Sequence, residues 1–474
     1  LRETYCARDV DRRTEGNLYA GLFVEGGAGS VVGQPIVIQS VTGSREDRHE
    51  FSEDLRLSFA GDGPLSWSVG GYFSTERFQD QRIRAGSPAL RYYASACPEE
   101  LFGTPPPTVC LVTAVVPEMS LDEDSIYDNR FYSVYGASEL KFLDTWTLSL
   151  EARQTWESKS ANNVANNFPT NSLPEGDLGT QRFRYFTPRI NLSDQITDDI
   201  LLYVLVAKGV KSGGFNAETP FEGDRRYFPE ENWTYEVGGK STLWNGRATV
   251  NVAGYFVDWS DQQVTGAGFE ADGVTLSSTP VIRNIASTEV WGGELEATVK
   301  PVDWLALNLS YTYTDATYTD AIFETSVGWV DCVAIGTIDC VFDPAENAMV
   351  SSGRGDGNQL VNTSRHLVHA GAEARRPLSF MDGWDGYVRL DYAYQSKRFV
   401  DSENIGWVPG RETVGIRLGV RDDHWTFEGF CSNLTDDSTA NTAFPPRDFL
   451  GVPSYEVSNR TGRMCGLTAG FRHL

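Results

Sequence analysis

Arg225 and Arg226 stand beside Tyr227 and Phe228, two fixed positive charges next to two rings. Guanidinium groups grip carboxylate-type oxygens with a planar fork and stack on aromatic faces. A negatively charged aromatic chelate is the kind of molecule such a set would hold. Glu222 and Asp224 lie just upstream, so a solvated loop with locally balanced charge is the plainer reading of the same stretch. Arg283 and Trp407 are weaker candidates of the same kind.

Other chemistry is poorly represented. His366 and His369 are three apart on an expected strand, face opposite sides, and cannot share a metal. Gly26-Gly27-Ala28-Gly29 lacks the Gly-Lys-Ser/Thr that would make it a phosphate loop. No Ser/His/Asp set has a recognisable spacing. No cofactor, no resident metal and no enzyme activity is expected. Cys97 and Cys110 bracket one turn-rich segment, and Cys332 and Cys340 bracket another. Neither pair has zinc or redox spacing, so disulfides in an oxidising compartment are expected.

The elements that must carry these residues are strands. In residues 199–260, Ile200 to Val210 is an apolar run, a Gly-rich polar excursion follows, and a second strand starts near Trp233. Asn245-Gly246 then turns the chain into a third strand ending near Trp259, because both turn positions want positive φ. Period-2 alternation recurs from residue 49 onward. On 145–156, Trp146, Leu148, Leu150, Ala152 and Trp156 share one face, while Thr147, Ser149, Glu151 and Arg153 share the other. About fifteen strands are countable between 49 and 474, joined alternately by short and long connections. Residues 1–48 alternate weakly and read as mostly irregular.

Net charge is −25 over 474 residues, which argues against nucleic acid as a partner. Hydrophobic content is 40%, and no run approaches the length of a transmembrane helix. Spanning β-strands need only one apolar face, so low hydropathy does not exclude a membrane. Strands of 11 to 13 residues, tilted near 45°, reach about 25–30 Å, the thickness of a bilayer core. Trp146, Trp156, Trp233, Trp259, Trp291, Trp304, Trp384 and Trp425 gather at strand ends, as aromatic girdles do. The expected fold is therefore all-β: a transmembrane antiparallel β-barrel with short periplasmic turns and long extracellular loops. A soluble β sandwich or propeller is the alternative, but no blade repeat is visible.

The stretches VAKGVKSGGFN (206–216), FPEE (228–231), WTYEVGGKS (233–241) and NVAGYFVDWSDQQV (251–264) resemble the mid-barrel signature of TonB-dependent outer-membrane receptors. Gly209, Lys211, Gly213, Gly214, Phe215 and Asn216 carry the first of these. HEFSEDLRLSF (49–59) resembles an earlier barrel hairpin. FEGFCSNLTDD (427–437) and RTGRMCGLTAGFRHL (460–474) resemble the last two strands. The resemblance implies a barrel of 22 strands, of which about 15 are present, in the outer membrane of a Gram-negative bacterium. It implies a plug domain and a transducer-binding box that this sequence does not contain. It further implies uptake of a scarce nutrient, most often a ferric siderophore, powered by the inner-membrane TonB complex, with iron present only inside the transported chelate. A passive porin-like channel is the alternative function. Residues 49–474 are expected to form the barrel domain, with outer-membrane lipid as a further partner.

In that topology the last strand ends in the periplasm. Counting back places 79–128, 158–181, 212–232, 260–286, 317–364, 399–410 and 435–462 outside the cell. Cys431 and Cys465 then fall on adjacent final strands in the lipid-facing phase, where a cross-strand disulfide is expected. No partner is assigned to Cys6.

Overall fold

The protein, represented by a computed structural model, is described over residues 2–23, 35–94, 110–113, 119–166, 176–217, 219, 221–269, 276–325, 340–343, 348–402, 404, 406–444, 456–458 and 462–472. It is built almost wholly of antiparallel strands. In chain order the long ones are β1 (Arg2–Phe23), β2 (Pro35–Ala60), β3 (Leu65–Ala94), β4 (Met119–Phe142), β5 (Trp146–Asn166), β6 (Gly176–Thr197), β7 (Ile200–Lys211) and β8 (Glu230–Leu243). They continue as β9 (Ala248–Phe269), β10 (Leu276–Val302), β11 (Leu305–Thr325), β12 (His366–Pro377), β13 (Asp385–Gln395), β14 (Arg411–Arg421), β15 (Trp425–Ser432) and β16 (Met464–Phe471). Each pairs with its neighbours in chain order, and with three short strands they make one 19-stranded sheet.

The register keeps one face apolar from strand to strand. Leu57 lies opposite Val69, Val69 opposite Gly136, Leu150 opposite Ile190, Ile190 opposite Val206, and Val204 opposite Val237. The row continues through Leu295, Leu309, Leu390 and Leu418 to Leu467. No second protein layer covers these side chains among the described residues. Val237 is 60% exposed, Val204 48% and Leu418 51%. A soluble protein does not expose apolar surface on this scale, whereas a barrel wall in hydrocarbon must. Leu307 is likewise exposed, and Leu148 and Ile416 are half-exposed, so the greasy side of the sheet faces lipid.

The opposite face is polar and encloses the lumen. Arg389 bonds Asp391, Arg417 bonds Glu428, and Tyr387 donates to Glu428 at 2.8 Å. A lumen cavity of about 1090 Å³ is lined by His369, Glu373, Arg389, Asp391, Arg417 and Glu428, among others. His366 instead stacks on Tyr311 and meets the Tyr313 ring at a tilt, so the two histidines do take opposite sides of β12.

At the periplasmic end the turns are tight. Leu143 and Asp144 adopt φ of 48° and 61°, and Trp244, Asn245 and Gly246 adopt 52°, 53° and 84°. Left-handed backbone at these positions matches the twist of the flanking strands.

Two expectations need correction. Residues 1–48 are not mostly irregular: Arg2–Phe23 pairs with Pro35–Arg56 along its whole length. Several stretches expected as extracellular loop are strand as well. β3 runs to Ala94 and β4 starts at Met119, while β9 reaches Phe269 and β10 starts at Leu276. The reason is the same in each case. Above the membrane neither face meets lipid, so the apolar–polar alternation fades, yet the backbone ladder still satisfies its N–H and C=O groups by continuing.

Candidate functional site

The extracellular end of the wall over β5–β10 is built around a small hairpin. Gly214–Phe215 pairs with Arg226–Tyr227, and a single 3₁₀ turn, Glu222–Asp224, lies between them. Gly214 is required there because a Cβ would fall 2.4 Å from the Tyr227 hydroxyl. Gly213 is equally confined, with the Tyr227 carbonyl 2.5 Å from where its Cβ would sit.

Buried polar residues lock this hairpin to the barrel rim. Asn216 donates to the carbonyls of Asp224 and Ile282 at 2.7 and 2.8 Å, and its own Oδ1 accepts from the Ile282 N–H. Gln181 donates to the Gly214 carbonyl at 2.5 Å. Lys159 pairs with Glu157 at 3.1 Å and donates to the Gly213 carbonyl, while Ser212 donates to Glu157 at 2.5 Å. Glu230, also buried, accepts from the Gln263 N–H at 2.6 Å and pairs with Lys211 at 3.4 Å. Asn284 accepts from the Phe228 N–H and donates to the carbonyls of Phe228 and Asp261. Each buried group finds a partner in this set, which is what makes a polar network rigid.

The candidate ligand residues divide on this frame. Arg283 is engaged in a two-pronged ion pair with Asp224, and both side chains are largely buried. It is a strut of the rim. Arg225 closes the 3₁₀ turn, its N–H donating to the Glu222 carbonyl, and is half-buried. Arg226 is exposed, with one nitrogen donating to the Leu178 carbonyl at 3.0 Å. Tyr227 is packed in, and burial first, then the nearby Glu157 charge, pushes its phenol above the ordinary value. It therefore stays a neutral donor. Phe228 stands 64% exposed. Trp407 is 54% exposed on a different hairpin, where Arg398–Phe399 pairs with Trp407–Val408 and Lys397 lies over both rings.

The residues of the family-like stretches thus act mainly as scaffold. Glu157, Lys159, Gln181 and Asn284 complete the network although nothing in their local sequence marks them. The one available signal is a polar side chain placed where a strand leaves the bilayer.

Cys431 lies directly opposite Cys465 across β15 and β16, with Cα atoms 4.0 Å apart, and the two are bonded. Cys97 and Cys332 lie outside the described residues. Cys110 and Cys340 begin short strands, and their side chains are not described.

A lipid-facing wall, a charged lumen, tight turns at one end and a buttressed loop rim at the other define an outer-membrane receptor barrel. The model of the family described as TonB dependent receptor-like, beta-barrel matches residues 5–434. The chain belongs to this family and is a protein of the Gram-negative outer membrane. Among solved structures, it is similar to the ferric yersiniabactin uptake receptor FyuA from Yersinia pestis, with 14% identity, 92% of this chain and 57% of that one covered, and a TM-score of 0.65. The siderophore receptor PiuA from Acinetobacter baumannii matches at 14% identity over 98% of this chain and 65% of its own, with a TM-score of 0.63. The ferric citrate transporter FecA matches at 15% identity over 97% and 61%, with a TM-score of 0.59. At such identities the likeness concerns the fold alone. This chain spans 57% and 65% of the length of the first two receptors.

Proposed function

We propose that this barrel serves the uptake of a scarce nutrient, a ferric siderophore or a similar anionic chelate, with an inner-membrane TonB complex supplying the energy. The cargo is bound at the extracellular rim. The observation that carries this reading is the division just described. The network immobilises Arg283, Asp224 and Tyr227, and leaves Arg226 and Phe228 presented outward on a rigid hairpin. A fixed charge beside a fixed ring loses little entropy on binding. Trp407 with Lys397 offers a second ring and charge of the same type on its own hairpin. Iron enters this reading only as cargo. Residues 49–474, together with the strand pair formed with β1, act as the wall of one barrel domain.

The test is uptake of radiolabelled ferric chelates by cells carrying the receptor. Arg226→Ala combined with Phe228→Ala should weaken binding of the cognate chelate by about 10–100-fold, the order expected for one charge-assisted contact plus one stacking contact. Arg283→Ala should act differently, by loosening the hairpin. Uptake that is non-saturable and independent of the proton-motive force would instead indicate a passive channel.

A further inference from the structure

The outward face carries arginines that pair with nothing among the described residues. Following the register, Arg130 on β4 lies opposite Ser158 on β5, and Ser158 lies opposite Arg182 on β6. Arg184 sits one row lower, opposite Trp156, whose other neighbour is Tyr132. All three arginines are exposed. Among the described residues none of them makes an ion pair or a side-chain hydrogen bond.

Their height is fixed by the apolar band beneath. Tyr132, Trp156 and Phe186 are 51%, 40% and 52% exposed in the rows just below, and Val134, Leu150 and Ile190 continue downward. That order, aliphatic then aromatic then cationic, is the order of a bilayer leaflet from its core to its headgroups. Since long loops mark the outer side, the arginines sit at the headgroups of the outer leaflet. The placement is local. At similar height on β9, β10 and β11 the outward charges are Asp258, Glu289 and Asp315, and on β7 Lys208 is paired with Glu231 at 2.6 Å. Above Arg130 the acidic groups are Asp128, exposed and opposite Arg77, and Asp124, which accepts from Gln79 and Gln81. In a chain of net charge −25, three unpaired arginines in one sector call for an anionic partner.

We propose that β4–β6 hold a phosphorylated glycolipid of the outer leaflet, its headgroup phosphates on Arg130, Arg182 and Arg184 and its acyl chains along Tyr132, Trp156 and the aliphatic rows below. Arg130 and Arg182 are two strands apart, about 9–10 Å, and Arg182 and Arg184 are about 7 Å apart along one strand. A headgroup with two phosphates matches that spread, whereas one phosphate leaves an arginine unmatched. Guanidinium forks and phosphate oxygens are complementary in geometry, and Ser158 offers a further donor between them.

The experiment uses the receptor purified from outer membranes and exchanged into bicelles holding a diphosphorylated glucosamine lipid, its dephosphorylated form, or phosphatidylglycerol. Bound lipid is read by native mass spectrometry. The diphosphorylated lipid should remain bound and the other two should not. The triple variant Arg130→Gln, Arg182→Gln, Arg184→Gln should weaken retention by about 100-fold, the order set by three basic groups at an anionic surface. Heat-modifiable gel migration reports whether the variant is folded. If it is not, the wild-type comparison decides alone. Equal retention of the phosphorylated and dephosphorylated lipids, or of phosphatidylglycerol, overturns the proposal, as does undiminished retention by the folded variant.

Discussion

The Arg283 guanidinium donates two hydrogen bonds to the Asp224 carboxylate, 2.8 Å from Nε and 2.7 Å from Nη2, at a site where both side chains are largely hidden from water. Asp224 belongs to the 3₁₀ turn of the rim hairpin and Arg283 to β10. One ion pair therefore fastens the rim loop to the wall. Arg283→Ala leaves a buried carboxylate uncompensated, which costs roughly 3–5 kcal/mol. The expected result is rapid protease cleavage within 219–229 while the strands stay resistant. Arg283→Ala combined with Asp224→Asn should recover part of that protection, and a loop equally resistant in all three proteins would remove the strut role.

A Tyr ring lies over a Gly at several places on the lumen wall, and Tyr203 with Gly238 is one pair. A Cβ on Gly238 would meet the Tyr203 ring at 2.5 Å, and the Tyr203 hydroxyl donates to Glu236 at 2.5 Å. Gly238→Ala must push the ring aside and break that bond. It should cost about 1–3 kcal/mol, more than Tyr203→Phe, which forfeits only a hydrogen bond worth about 1 kcal/mol. Urea unfolding in lipid vesicles ranks the two; the reverse order would contradict the steric account.

Val252 and Asn251 are adjacent on β9, and they face opposite ways. Val252 is exposed on the outer row opposite Leu295, and Asn251 lies opposite Glu296 on the lumen side. Val252→Arg should destabilise the folded barrel by about 2–4 kcal/mol at mid-membrane depth, while Asn251→Arg should be close to neutral. Similar losses for both in the same vesicle assay would mean that the faces are assigned wrongly.

The bond between Cys431 and Cys465 links positions separated by 34 residues and ties β16 to β15. Closing a loop of that length in the unfolded chain is worth roughly 3–4 kcal/mol on the chain-entropy account. Cys431→Ser with Cys465→Ser should lower the urea midpoint accordingly, and thiol reduction should reproduce the shift in the wild type but not in the variant. A reductant effect in both proteins would place the responsible bond elsewhere.

Asp422, in the last periplasmic turn, accepts from the N–H groups of Trp425 and His424 at 2.5 and 2.8 Å. The Trp425 N–H, foremost, holds its carboxyl below the ordinary value of 3.8. A lowered folded value means that the ionised form is favoured by folding, so the contribution is complete above the unfolded value and fades as pH falls through the folded one. The stability gap between wild type and Asp422→Ala should be constant near neutrality and narrow only below about pH 4. A gap that narrows already between pH 6 and 8 would remove the Asp422 assignment.

Much of this was legible residue by residue. The period-2 pattern over 145–156 and the turns at Leu143-Asp144 and Asn245-Gly246 are written into side-chain type. Lipid on one face and water on the other impose alternation wherever the wall crosses the bilayer. The same parity put Cys431 and Cys465 on one face, and adjacency of the last two strands did the rest. Above the membrane that constraint lapses. Hence β1 and the outer halves of β3, β4, β9 and β10 look irregular in sequence although their backbones are paired.

By itself, then, the sequence determined the wall: its strand order, its two faces, its direction across the membrane and its family. Only the tertiary structure decided what the polar rim residues do. Arg283 and Arg226 are the same residue type, and the sequence reads both as lying in extracellular loops. A carboxylate 2.7 Å from one of them, reached across 59 positions of chain, makes it a strut, and the other is left facing outward. That distinction rests on long-range register, which no local pattern encodes, because a buried charge takes its meaning from the partner that folding brings to it.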